Sequence, residues 1–167
     1  MSAVEFALVA PIFLLTLLSI VEFGLTLFTQ TVLDGAARDA ARLVRTGQVQ
    51  GSGKSTATQV AAFQAQLCSE LSVLMGTATC TTKVLAYVNQ FANFGAVAFT
   101  APCTANTPAT GIPPAGTCPF SAGAGRQIVG VQVRYARPSI IGWAGEHLAP
   151  SGFTNLTSTV VFQNEPF

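Results

Sequence analysis

Hydrophobic positions along the chain change their period several times, and each change predicts an element. From Phe6 to Val21 sixteen residues pass without a charge, and counting on past Glu22 to Phe28 gives twenty-three. At about 1.5 Å per residue the longer run reaches about 35 Å, enough to cross a hydrocarbon core of about 30 Å with some tilt. Residues 1–28 are therefore expected to form one transmembrane helix; the apolar run is too long for a cleaved secretory signal.

The period then becomes amphipathic. Val32, Leu33, Ala36, Ala37, Ala40, Leu43 and Val44 recur at three- and four-residue intervals, which predicts that the same helix continues over residues 29–48 with Gly47 as its stop. Asp34 with Arg38 and Asp39 with Arg42 are spaced to pair along it. "QVQGSGKSTAT" reads as a glycine and serine linker, with Ser55 or Thr56 capping the next helix.

That next helix, "ATQVAAFQAQLCSELSVLM", places Val60, Phe63, Leu67, Leu71 and Leu74 on one face and is expected to pack on a sheet. "TTKVLAYVNQF", "QIVGVQVRYA" and "LTSTVVFQ" are rich in β-branched and aromatic residues with partial alternation, so each reads as a strand of a small antiparallel sheet. Between the first two lies a long Pro-, Gly- and Thr-rich surface loop; "RPSIIGWAGEHLAP" reads as a short helix or turn. Tyr87, Tyr135, Trp143 and the phenylalanines are assigned to the core, and Arg134 and Arg137 to solvent at the end of a strand. The fold class is α+β, with residues 49–167 forming the head.

Composition supports a membrane protein and removes several functions. Only 9% of residues are charged, and the mean hydropathy is +0.50. Eight basic against seven acidic residues leave no basic stripe for a nucleic acid. "GSGKST" borrows the letters of a phosphate-binding loop, but that motif needs glycine at 48, where Gln48 stands, so no nucleotide is expected. His147, beside Glu146 with Ser139 and Ser151 nearby, is the only histidine and has no nucleophile elbow around it. Neither an enzyme nor a cofactor is expected.

Cys68, Cys80, Cys103 and Cys118 form an even set without a CxxC pair, which fits disulfides in an oxidising compartment better than a metal site. Three connectivities are possible; Cys68–Cys80 and Cys103–Cys118 close the shortest local loops.

Glu5 and Glu22 interrupt the apolar run. Seventeen residues apart, they lie about 25 Å from each other on an ideal helix and about 100° around it, so they cannot meet within it. Glu22 is expected at a membrane edge, its carboxylate reaching headgroups, water or another subunit.

"AVEFALVAPIFLLTLLSIVEFG", "GAARDAARLVRTGQ" and the closing "VVFQNEPF" resemble the TadE-like and TadG-like pseudopilins, minor subunits of the tight-adherence class of type IV pili. The resemblance implies cleavage by a prepilin peptidase ahead of the apolar segment, with Met1, Glu5 and Phe6 as the processing and assembly residues. Glu5 would then compensate the amino group of Met1 or of a neighbouring subunit. It also implies other pilins as partners through the amino-terminal helix, alongside the lipid bilayer, and a role in initiating or capping a pilus. A single-pass accessory subunit of another inner-membrane complex is the alternative. Arg38, Arg42 and Arg45 would draw the head to the cytoplasm by the positive-inside rule. The cysteines and the resemblance place it in the periplasm, with the amino terminus cytoplasmic.

Overall fold

The computed structural model describes residues 2–52, 55–99, 118–139 and 153–167. Met1, Cys103, Trp143, Glu146, His147 and Ser151 lie outside the described residues, as does most of the long loop. Helix α1 (Ser2–Arg45) runs unbroken through Pro11. It is followed by α2 (Gln48–Gly51), α3 (Thr56–Glu70), α4 (Thr77–Lys83), β1 (Val84–Phe91), β2 (Ile128–Pro138) and β3 (Phe153–Gln163). The three strands form one antiparallel sheet in the order β1-β2-β3. The α+β class, the single long amino-terminal helix and the three strands are as the sequence predicts.

The core is built on the second half of α1. Thr29, Leu33, Ala36, Ala37, Ala40, Ala41 and Val44 are buried, and the four alanines let two layers approach the helix closely. On one side α3 packs along it, presenting Phe63 and Leu67, with Leu71 buried in the turn just beyond its end. On the other lies the sheet. Strand alternation turns Val84 and Val88 of β1, Val129, Val131 and Val133 of β2, and Leu156 and Val160 of β3 into this core. The opposite sheet face is covered by aromatic rings. Phe99 meets Tyr87 and Phe91 edge-on at 5.9 and 5.7 Å. Gly130 makes room for them, since a Cβ there would lie 2.6 Å from the Phe99 ring.

Several local expectations change. The linker contains α2, because Val49 is drawn into the core and Gln50 Nε2 donates to the carbonyl oxygens of Ala122 (2.8 Å) and Val44 (3.1 Å). As expected, Ser55 caps α3, accepting from the Thr58 N–H. That helix stops at Glu70 and packs chiefly along α1, whose alanine stripe offers a closer apolar partner than the sheet. Thr81–Lys83 belong to α4, and β1 starts only at Val84, because Cys80 must stay in a helix to reach Cys68. The Cys68–Cys80 disulfide is formed between two buried sulfurs, with Cα atoms 5.7 Å apart. Closing a loop of this size stabilises by about 2–3 kcal/mol through the unfolded chain. No described cysteine is free.

The helix C-terminus is closed by the last residues of the chain. Gly47 adopts φ 78°, and the Phe167 ring occupies the space a Cβ would need, at 2.7 Å. The Glu165 N–H donates to the Arg45 carbonyl at 2.9 Å, and its carboxylate accepts from Arg45 Nε and NH2 at 3.2 and 3.0 Å. The closing "NEPF" thus satisfies an orphan carbonyl of α1.

Candidate membrane anchor and head junction

The first half of α1 is bare. Its large apolar residues from Phe6 to Phe28 are 38–73% exposed. The most apolar 18-residue window has a mean hydropathy of 2.3 with none of it buried, and α1 is the one described helix long and apolar enough to cross a membrane. The described hydroxyls along it are tied back into the helix. Thr16 donates to the Phe13 carbonyl, Ser19 to Leu15, Thr26 to Glu22 and Thr29 to Leu25, all at 2.7–2.8 Å. Such bonds satisfy the hydroxyls without water, as hydrocarbon requires.

Stem and head meet at one charged node. Arg137 NH2 donates to the Glu22 carboxylate, to Thr26 Oγ1 at 3.2 Å and to the Glu22 carbonyl at 3.4 Å. NH1 donates to the Pro138 carbonyl at 3.4 Å. The two charged side chains are only 9% and 16% exposed, so Arg137 is not the solvated residue that its place at a strand end suggests. Its Nε is buried without a hydrogen-bond partner. Desolvation is thus incompletely repaid, and the pair acts first as a positioning device for the head. Beside it, burial pushes the Tyr135 hydroxyl above its usual pKa, and Arg137 partly offsets the shift.

The node follows from two periodicities. Glu22 and Thr26 extend the stripe Thr29, Leu33, Ala36/Ala37, Ala40, Val44 backwards at the same three- and four-residue steps. Arg137 shares the odd-numbered face of β2 with Val129, Val131 and Val133, the face that meets α1. Strand β2 runs antiparallel to the helix, so its last residues come level with Glu22. Both signals are present in the sequence: the helical stripe continues before Val32, and the strand alternation continues past Ala136.

The remaining site residues are placed as follows. Glu5 lies in the first turn of α1 and is exposed, and Phe6 is 73% exposed; their proposed partner Met1 lies outside the described residues. The second expected bridge includes Cys103, also outside them. The spaced pairs Asp34–Arg38 and Asp39–Arg42 do not form: the ion pairs among the described residues are Arg45–Glu165 and Arg137–Glu22. Asp34 instead accepts from Gln30 Nε2 at 3.1 Å, a contact that keeps Gln30 beside β3. Among the described residues no cluster of His, Cys, Asp or Glu could hold a metal ion.

No curated protein and no solved structure matches the chain. A family model described as TadE-like protein matches residues 1–42, which are the bare stem and most of the stripe on which the head is built. The amino-terminal quarter of this protein, with its glutamate-interrupted apolar helix, is thus similar to the TadE-like proteins.

Proposed function

We propose that the protein is a membrane-anchored pseudopilin that supports assembly of a tight-adherence pilus by initiating or capping it, and that its role is structural rather than catalytic. The observation that carries the reading is an apolar stem, exposed on all sides, that continues as the central helix of a folded head. Such a stem can pass from lipid into a bundle of similar helices without unfolding the head. The TadE-like match over the stem supports pilus subunits as its partners. In this reading prepilin peptidase cuts ahead of the apolar segment, and Glu5 neutralises an amino group. The disulfide-bonded head stands in the periplasm, anchored in the bacterial inner membrane. Full-length protein isolated in mild detergent should bring down pilus subunits, and Glu5→Ala should reduce pilus number. Recovery of an unrelated inner-membrane complex with pili unchanged would make it an accessory subunit there instead.

The membrane boundary in this reading lies at Glu22 rather than at Phe28. Ser2–Val21 spans about 30 Å as helix, matching the hydrocarbon core. A deeper stem would carry the Glu22–Arg137 node into lipid. A spin label at Leu27 should accordingly report headgroup depth while one at Leu17 reports the membrane interior. Equal depth at the two positions would contradict this boundary.

A further inference from the structure

Beyond the membrane junction, α1 carries a cationic flank. Arg38, Arg42 and Arg45 follow one another about one turn apart and are exposed. Between them and β3 runs an open groove of about 280 Å³, lined by the three arginines with Ala41, Val160 and Phe162. Its rim is cationic and its floor apolar.

The chain fills one end of this row itself. Arg45 is met by Glu165, held in the segment that leaves β3, through two side-chain hydrogen bonds and the backbone bond to its carbonyl. Among the described residues, Arg38 and Arg42 have no carboxylate in ion-pair range: Asp34 is engaged by Gln30, and Asp39 pairs with neither.

Strand β3 is also an outer strand of the sheet. The Thr157 carbonyl points away from β2, where it accepts from Gln30 Nε2 at 3.1 Å. By alternation the backbone groups of Thr159 and Val161 point the same way. No Lys or Pro guards this edge between Phe153 and Gln163. The spacing agrees as well: Arg38 and Arg42 are about 6 Å apart along the helix, and alternate residues of a strand are about 6.7 Å apart.

The geometry points to an extended acidic segment of a partner protein that adds to the outer edge of β3 and sets carboxylates at alternate positions against Arg38 and Arg42. Glu165 at Arg45 is the same contact made within the chain. Recognition is divided, with backbone pairing to β3 holding the segment and the arginines selecting its charge.

The test uses the full chain in lipid nanodiscs and a fluorescent peptide, Thr-Glu-Val-Glu-Val-Glu-Thr, followed by anisotropy. Saturable binding is expected that weakens at least about tenfold in Arg38→Glu with Arg42→Glu and falls with added salt. The corresponding lysine peptide and a peptide N-methylated at alternate residues should not bind. Both substitutions are on exposed side chains, and unchanged thermal unfolding of the variant confirms that the fold is intact. Failure of the acidic peptide to bind, equal binding by the charge-reversed protein, or equal binding of either control peptide overturns the proposal. So does a salt-sensitive self-association lost in the same variant, which would assign the groove to a second copy of this chain.

Discussion

Arg137→Ala is expected to lower the stability of the head by about 3–5 kcal/mol, because it leaves the Glu22 carboxylate without its guanidinium in a setting only 16% exposed. Thr26 Oγ1 and the Glu22 carbonyl lose a donor at the same time. Glu22→Leu should cost a similar amount by stranding Arg137, whose side chain is 9% exposed. The double change Glu22→Leu with Arg137→Leu should cost far less than the sum, since neither charge then remains to be desolvated. Chemical unfolding in detergent micelles, followed by near-ultraviolet circular dichroism, provides the double-mutant cycle. Losses below about 1 kcal/mol for both single variants, or strict additivity, would mean that the pair does not hold head to stem. The mechanical consequence also differs from that of an ordinary core change: the head should gain freedom relative to α1 before it unfolds, visible as a broadened distance between labels on the stem and on β2.

Phe63→Ala is expected to cost about 3–5 kcal/mol as well, by a different route. The ring is fully buried on α3 and meets Phe120 edge-on at 5.7 Å. Phe120 in turn leads the segment that extends the sheet beside Val88, where Val88 N–H donates to the Pro119 carbonyl and Ser121 N–H to the Val88 carbonyl. Removing the ring therefore opens a cavity between a helix and a sheet edge, two layers that cannot collapse onto each other without breaking those bonds. Phe63→Leu keeps most of the volume and should cost under about 1.5 kcal/mol. Equilibrium unfolding of the disulfide-intact protein distinguishes them; equal costs for the two substitutions would show that the site is not packed as described.

Much of this architecture is legible in residue order because it rests on local periodicity. The uncharged run from Phe6 to Val21, the stripe from Val32 to Val44, the stop at Gly47 and the cap at Ser55 each depend on neighbours within a turn or two of helix. The strand segments are legible for the same reason, since alternation and β-branching are local. The details that local pattern does not carry all depend on distant residues. Val49 forms part of a helix because the core has room for it, and Thr81–Lys83 stay helical because Cys80 bonds to Cys68. Arg38 and Arg42 remain without the carboxylates one turn away because Gln30 engages Asp34 beside β3, while Asp39 stays outside ion-pair range.

Glu22 marks the division most clearly. Its position in an apolar helix, the cost of burying it and the impossibility of meeting Glu5 are properties of the sequence, as is the TadE-like character of residues 1–42. Its partner is decided only when β2 lies antiparallel along α1, which brings Arg137 level with it across 115 residues of chain. Residue order determines which faces are apolar and where charges interrupt them. Tertiary packing decides which charges meet, because an ion pair with little exposure forms only where two separately specified faces are pressed together.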